Sequence, residues 1–292
     1  MKESSELLRF EGQGNKTVYN PSVPFEYQGR EVIAARVEPY DSETDSRVMF
    51  FERKNGYYTL MRNVPSFKMQ DPAVFIIEGL YVLRGVHVFN EGSKLNWQTD
   101  FYAGDSLSRL EYLSSGPIGM KDITLVDLNG AIGIFTRPRG KELKERRIGY
   151  FEVESLDDIQ RIGEADYVKA YLINGIFDDN QWGGANQAMN LGNGRIGVIG
   201  HLAWFDKHNR KHYVAMSFIF NRQTRRLSDF KVLARREDFP KAPSKSKPIL
   251  DDIVFPAGID DVRGERPFLY AGLSDFCCGR IRINNPFNGD GR

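Results

Sequence analysis

The sequence predicts an all-β fold built from repeated units of antiparallel strands, and three observations carry this prediction. Short apolar runs rich in Val, Ile, Phe and Tyr recur along the chain, most of them bounded by Gly, Asn or Asp, as is typical of strands joined by hairpins. Helical patterns are scarce: Ser155–Ala165, which opens with a capping box, and the weaker Ser106–Leu113. Polar residues head these hairpins at a regular interval.

This interval defines an internal repeat. Asn20, Asp71 and Asp122 lie 51 residues apart, and a turn glycine follows each of them by eight or nine residues. Asn186 heads a fourth copy, and a fifth, looser copy starts near residue 255. Four strands need roughly 40–50 residues, as in the blades of a propeller. The sequence therefore predicts a single domain over residues 1–292, a five-bladed β-propeller with short helical insertions and blades that start near residues 20, 71, 122, 186 and 255.

The first strand of each propeller blade lines the central channel, so we expect the four leading residues around one channel mouth. The strand after each turn glycine ends in a basic residue or histidine: Arg36, Arg84, Arg137 and His201. Polar residues collected from separate blades around one funnel suit the binding of a sugar. A solenoid is the competing repeat architecture, but it needs no polar residue at the same phase of every repeat.

Composition excludes several classes of function. Lys and Arg total 40 against 39 Asp and Glu, a net charge of +1, which argues against a general nucleic-acid or anionic-membrane partner. No apolar run approaches the roughly 20 residues of a membrane span, and the first residues lack the apolar stretch of a signal peptide. We therefore expect a cytoplasmic protein; the sequence leaves an oligomer possible.

Three motifs have a structural interpretation that outweighs the functional one. Gly192–Gly197 matches G-x-G-x-x-G, but a strand follows it instead of a helix, so it is predicted to be a hairpin turn. His208 and His212 have helical metal-ligand spacing in a segment that resembles a polar hairpin loop, so no metal site is predicted. Cys277 and Cys278 are adjacent and point to opposite faces of a strand, so we expect burial of at least one and no redox role.

Asp71 is the strongest candidate for catalysis. Pro72 follows it and is expected to hold Asp71 in an extended conformation. The dipeptide alone favours a surface turn, whereas the repeat favours a functional position. Lys121 and the arginines at the strand ends add cationic donors, and one or two carboxylates among several cations suit an anionic co-substrate such as phosphate. For any single arginine, a surface salt bridge explains its presence as well as phosphate binding does.

Several ordered motifs resemble the five-bladed propeller enzymes that act on mannosides, glycoside hydrolase family 130 and the related mannosyltransferase/phosphorylases of glycosyltransferase family 108. The segments Trp97–Phe101 and Gly116-Pro117 look more similar to family 108. Gln70 departs from the usual Glu, and Ala73 stands where family 130 often has Arg. The motifs, in chain order, are Asn20-Pro21 with Arg36, Gln70-Asp71-Pro72, Met120-Lys121-Asp122 with Arg137-Pro138, Val254–Gly258, and Leu269–Gly272 with Ser274-Asp275.

The resemblance implies an inverting β-mannoside phosphorylase that converts a β-1,2-mannooligosaccharide and inorganic phosphate to mannose 1-phosphate, reversibly and without a cofactor. Asp71 would be the catalytic acid, its proton reaching the leaving oxygen through a sugar hydroxyl. The residues expected to bind the sugar are Asn20, Arg36, Lys121, Asp122, Asn186 and Asp275. The residues expected to bind phosphate are Arg84, Arg137, Arg139 and His201.

Three other functions remain open on the same fold. A β-mannoside hydrolase needs a second carboxylate to activate water, and Asp100 or Asp122 is available for that. A mannosyltransferase that uses a nucleotide sugar needs a pocket for the base. A non-catalytic sugar-binding propeller would keep aromatic and Asn positions without needing the cations.

Overall fold

The computed structural model describes residues 4–42, 45–138, 147–245 and 248–288. Single turns of 3-10 helix occur at Leu107–Arg109 and Arg236–Asp238. The other elements, in chain order, are β1 (Ser5–Leu7), β2 (Phe10–Glu11), β3 (Thr17–Pro21), β4 (Phe25–Tyr27), β5 (Arg30–Glu38), β6 (Arg47–Lys54), β7 (Tyr57–Leu60), β8 (Gln70–Ile77), β9 (Leu80–Glu91), β10 (Lys94–Gly104), β11 (Glu111–Ser115), β12 (Thr124–Asp127), β13 (Ile132–Thr136), β14 (Ile148–Val153), α1 (Leu156–Ile159), α2 (Glu164–Val168), β15 (Tyr171–Ile173), β16 (Gln181–Gly192), β17 (Arg195–Phe205), β18 (Lys211–Asn221), β19 (Arg226–Ala234), β20 (Asp252–Ile259), β21 (Phe268–Leu273) and β22 (Cys277–Arg282).

The strand pairings separate into five groups, mostly antiparallel. The first group has the order β2-β7-β6-β5-β3, with β4 also paired to β5. The second and third are the four-stranded sheets β8–β11 and β12–β15. The fourth is β16–β19, and the fifth is β20–β22 with β1 added at the outer edge of β22. A short parallel pairing between β18 and β20 joins the last two groups. The groups begin close to the positions that the repeat predicts.

Five apolar clusters hold these groups together, and each cluster draws its residues from two consecutive groups. In one of them, Phe50 of the first group packs with Leu83 of the second. The last cluster joins the fifth group back to the first through Tyr270 and Cys278, which pack with Val18 and Ile33. The contacts therefore run around a closed ring. The predicted all-β, propeller-type fold is confirmed, whereas the count of five blades and the single-domain boundaries stay predictions with which these pairings agree.

The two helix predictions have different outcomes. Ser155 does cap the start of a helix, and the backbone N–H of Ser155 donates a 3.0 Å hydrogen bond to the Asp158 carboxylate. The helix is shorter than predicted, because α1 ends at Ile159 and α2 is a separate turn. The helix predicted over Ser106–Leu113 is wrong. Only a single 3-10 turn forms there, and the chain then continues as β11, because pairing with β10 satisfies its backbone groups.

The turn prediction at the glycine-rich motif is confirmed. Asn193 and Gly194 connect β16 to β17 with φ of 52° and 72°, the positive values that a two-residue hairpin turn requires. The loop before β18 is likewise a polar hairpin loop, in which the Asp206 carboxylate accepts hydrogen bonds from the backbone of His208 and Arg210. In the described ranges, no group of three or more side chains of the metal-binding types is placed to hold an ion.

The cysteines lie as the strand pattern predicts. Cys278 is buried in the cluster between the first and fifth groups, and Cys277 is half-buried. Burial raises the pKa of the Cys277 thiol to about 11, so the thiolate that redox chemistry requires is scarce at neutral pH. None of the helices in the described part of the chain has the length and apolarity that crossing a bilayer requires.

Candidate active site

Three of the four residues that head the repeats lie at irregularities in the strand pairing. The register shifts beside Asn20 in β3, at Asp71 in β8 and at Asn186 in β16. Asn20 and Asp71 have φ of 45° and 49°, and Asp122, just before β12, has 62°. Asn and Asp tolerate this left-handed region best among residues with a side chain, which gives the repeat a backbone reason for these residue types.

The extended conformation predicted for Asp71 is wrong. Pro72 disfavours the right-handed helical region for the residue before it, but the bulge between Gln70 and Ala73 requires a left-handed residue. Because of the bulge, the Asp71 side chain does not follow the alternation of side chains between the two faces of β8.

These bulges direct side chains from several groups into one cavity. Its volume is about 1020 Å³, at the upper end of the size typical of small-molecule sites. The residues that line it are Asn20, Arg36, Gln70, Asp71, Lys121, Asp122, Arg137, Asp179, Asn180, Trp182, His201, Phe205, Lys211, Tyr213, Leu250, Ile253, Phe255 and Asp275. Eight of the eleven candidate residues from the sequence are among them.

Of the three other candidates, two are described and do not line the cavity. Asn186 is buried behind the cavity, where it contacts His201. Arg84 is also buried and does not line the cavity. Arg139 lies outside the described residues.

Asp71 is held through one of its two carboxylate oxygens. Its Oδ1 accepts a 2.7 Å hydrogen bond from Asn20 Nδ2 and lies 3.4 Å from Arg36 Nη1. Gly272 leaves room for this arrangement, since a Cβ there would lie 1.8 Å from Asn20 Oδ1. The side chain of Asp71 remains 15% exposed. One oxygen is therefore fixed while the carboxylate stays accessible from the cavity.

Asp122 is a buried carboxylate with cationic neighbours. Its Oδ2 lies 3.0 Å from Arg137 Nη1 and 4.0 Å from His201 Nε2. Burial by itself raises the pKa of Asp122, but Arg137, His201, Lys121 and Arg84 lower it by more, so the net pKa lies well below the usual value. Asp122 is consequently ionised at neutral pH and has no proton to donate.

His201 is neutral at neutral pH, which revises its predicted role as a cation. Its Nδ1 donates to Asn186 Oδ1 at 2.9 Å, because an amide oxygen can only accept. Burial is the main reason that the pKa of His201 falls to about 4. The positive charges of Arg137, Lys121 and Arg84 lower this pKa further, and the attraction of Asp122 offsets only part of the decrease. With the proton on Nδ1, the Nε2 of the neutral ring is an acceptor only, so His201 brings neither a positive charge nor a second N–H donor to an anion in the cavity.

This buried histidine predicts a pH dependence of stability. Between pH 4 and 6.5 the unfolded chain binds a proton at His201 and the folded chain does not, so stability falls as the pH drops through this window, by about 3 kcal/mol in total. The depressed pKa of Asp122 adds a loss only at lower pH. Urea unfolding of the protein and of the variant His201→Gln should give a flatter profile for the variant above pH 4. Parallel profiles would contradict this assignment.

Arg84 lies fully buried near two carboxylates. Its Nε and Nη1 have no hydrogen-bond partner among the residues that the structure describes. Burial lowers the pKa of Arg84, and Asp122 and Asp71 oppose this effect, so its charge is felt at both carboxylates. Its position supports an electrostatic role below the cavity rather than the predicted direct contact with phosphate.

The sequence interpretation missed one wall of the cavity. Trp182, Phe205, Tyr213 and Phe255 form an aromatic surface in which the Trp182 and Phe205 ring centroids lie 5.1 Å apart. Tyr213 stacks on His201 with centroids 5.5 Å apart. These residues come from β16, β17, β18 and β20, and they occupy no common phase of the repeat. Their aromatic type was visible in the sequence, but their convergence was not.

Comparisons with solved structures find close similarity over nearly the whole chain. A mannose phosphorylase from Leishmania mexicana, solved with a phosphate ion, is 34% identical with a TM-score of 0.89, covering 98% of this chain and 90% of that one. A GDP-Man-dependent mannosyltransferase from Leishmania mexicana is 32% identical, also with a TM-score of 0.89, covering 100% of this chain and 92% of that one. No curated protein sequence matches the chain.

A more distant similarity supports the fold alone. A β-1,2-mannobiose phosphorylase from Listeria innocua is 14% identical with a TM-score of 0.66, covering 96% of this chain and 90% of that one. Fold, cavity and similarity together define the chain as an enzyme of the propeller type, and the predicted resemblance to the mannoside phosphorylase and mannosyltransferase group is confirmed. The chain matches over residues 1–289 the family described as "Protein of unknown function (DUF1861)", and it belongs to that family.

Proposed function

We propose that this protein is an inverting β-mannoside phosphorylase. It cleaves β-1,2-linked mannooligosaccharides with inorganic phosphate, releases mannose 1-phosphate, and also runs in the synthetic direction. The observation that carries this proposal is that one cavity combines Asp71, fixed at a single oxygen, with the cationic side chains of Arg36, Lys121, Arg137 and Lys211. The similarity to a mannose phosphorylase solved with phosphate supports the choice of sugar and co-substrate.

The reaction requires one acid and one nucleophile on opposite faces of the sugar ring. A phosphate oxygen forms the new bond to C1 while the bond from C1 to the leaving oxygen breaks. Asp71 gives its proton to a sugar hydroxyl, which passes its own proton to the leaving oxygen. Because phosphate is already an anion, no carboxylate base is needed. Asp71 fits the role of the acid because its Oδ1 is occupied by Asn20 and Arg36, which leaves Oδ2 for the proton.

Phosphate and sugar take different parts of the cavity in this proposal. Phosphate binds near Lys121 and Arg137, because a dianion in a partly desolvated site needs two or more charge-assisted partners. Asn20, Arg36 and Asp275 hold the mannose beside Asp71, and Asp122 stays ionised as the partner of Arg137. Arg84 adds positive charge from below.

The two carboxylates that the hydrolase alternative would use to activate water are poorly placed for that role. Asp100, one of the two candidate bases for water, does not line the cavity and accepts hydrogen bonds from Gln98 at 2.8 Å and Ser115 at 2.6 Å. Its other oxygen lies 3.0 Å from His87 Nδ1. Asp122, the second candidate, is paired with Arg137. Neither is placed as a free base beside Asp71.

The test is incubation of the protein with β-1,2-mannobiose, with and without inorganic phosphate. We expect mannose 1-phosphate and mannose in equal amounts with phosphate, and almost no cleavage without it. Release of two mannose molecules at the same rate without phosphate would replace the phosphorylase with a hydrolase.

Mannosyl transfer from GDP-mannose is the second candidate function. The similarity to a GDP-Man-dependent mannosyltransferase favours it, and the aromatic wall of Trp182 and Phe205 offers a surface on which a base or a second sugar can stack. Incubation with GDP-mannose and mannose separates the two functions. A transferase releases GDP and forms a mannooligosaccharide, whereas a phosphorylase forms the same product only from mannose 1-phosphate.

A further inference from the structure

Glu38, at the end of β5, is a buried carboxylate that the proposed reaction does not use. It has no exposed surface and does not line the cavity. Its Oε2 accepts hydrogen bonds from Arg36 Nε at 3.0 Å and Arg36 Nη2 at 2.9 Å, and also from Ser46 Oγ. Its Oε1 accepts from the hydroxyl of Tyr19 and from Lys245 Nζ. Five donor contacts saturate this one carboxylate.

These contacts fix the plane of the Arg36 guanidinium. Arg36 and Glu38 are two residues apart on one strand, so both side chains leave the same face of β5. Glu38 takes the edge formed by Nε and Nη2, which turns Nη1 toward Asp71 Oδ1 at 3.4 Å. The Tyr19 ring packs against the flat face of the guanidinium, 4.8 Å from its centre. Arg36 is thereby held from its edge and from its face.

Lys245 ties this arrangement to a distant part of the chain. Its Nζ also donates to the carbonyl of Ser42 at 2.7 Å, and its backbone N–H donates to the carbonyl of Ser274 at 3.2 Å. Ser274 precedes Asp275, which lines the cavity. Lys245, in the segment before β20, therefore links Glu38 to the fifth group of strands.

We propose that Glu38 is a positioning residue, which orients Arg36 and through it the Asp71 carboxylate. This inference rests on the proposed function only in taking Asp71 as the acid. Glu38 also balances the charge of Arg36, since a buried cation without a paired anion would be costly. The contact of Arg36 with Asp71 Oδ1 keeps Oδ2 directed at the substrate.

The test is the isosteric variant Glu38→Gln, assayed for phosphorolysis of β-1,2-mannobiose with radiolabelled phosphate. We expect kcat to fall by about 10- to 100-fold while the KM for phosphate changes less than about threefold, because Lys121 and Arg137 are untouched. The matched control is Glu52→Gln, which removes a carboxylate paired with Arg30 in the same sheet and away from the cavity; its kcat should stay within about twofold.

A double variant distinguishes positioning from general damage. If Glu38 acts through Asp71, Glu38→Gln added to Asp71→Asn should cost less than about threefold more, because residues that act as a unit are not additive. If the losses of activity from the two single variants multiplied in the double variant, or if folded Glu38→Gln kept an unchanged kcat, the inference would be overturned. If Glu38→Gln does not fold, Ser46→Ala and Glu38→Asp take its place, and unchanged kcat in both would overturn it as well. Failure of the proposed function differs, since the unmodified protein would then form no mannose 1-phosphate.

Discussion

The variant Asp71→Asn should lose phosphorolysis by about 10²- to 10⁴-fold while its fold and stability stay nearly unchanged. The asparagine oxygen can accept the same hydrogen bonds from Asn20 and Arg36, so the anchored side of the residue is preserved. Asn also tolerates the left-handed backbone at φ 49° as well as Asp does. The amide nitrogen that replaces Oδ2 cannot deliver a proton to the leaving oxygen. The rate of mannose 1-phosphate formation and the thermal midpoint measure the two effects separately.

Asp100→Asn is the matched control for this variant. It makes the same change at a buried aspartate outside the cavity, and we expect its rate to stay within about threefold of the unmodified protein. If Asp71→Asn kept most of its activity, the acid would lie elsewhere. If Asp100→Asn instead abolished activity in a folded protein, Asp100 would regain the role that the hydrolase alternative gives it.

The second large effect is expected from Arg137→Ala, which should raise the KM for phosphate by about 10- to 100-fold and leave that for the disaccharide within about threefold. Arg137 supplies one of the charge-assisted contacts proposed for phosphate. It also forms a 3.0 Å ion pair with buried Asp122, so its removal should destabilise the fold by about 3–5 kcal/mol. Initial rates over a phosphate series and urea unfolding measure these two changes.

The two consequences can be separated by a second substitution. Adding Asp122→Asn to Arg137→Ala removes the unpaired charge, so stability should return in part while phosphate binding does not. Arg222→Ala is the control for loss of an arginine, because Arg222 pairs with Glu152 at the surface. Equal increases in both KM values for Arg137→Ala would show that Arg137 supports the cavity as a whole and does not bind phosphate specifically.

Sequence alone determined the fold class and most of the cavity's polar residues. Strand alternation and hairpin turns depend on neighbouring residues, so they can be read from local patterns such as Asn193-Gly194. The repeat carried long-range information, because equivalent positions of similar units meet around one axis. Asn20 and Asp71 lie 51 residues apart in the chain and are hydrogen-bonded to each other in the structure.

Only the tertiary structure decided what each of these residues can do. Arg36, Arg84 and Arg137 occupy equivalent positions of the repeat. Arg36 and Arg137 nevertheless line the cavity, whereas Arg84 is buried and does not line it, because the neighbouring side chains differ between the groups. His201 is neutral since burial outweighs the attraction of Asp122, a balance that depends on every charge nearby. The contact between Lys245 and Glu38 joins residues 207 positions apart and follows no repeat. Such contacts arise from packing, and no local pattern in the sequence encodes them.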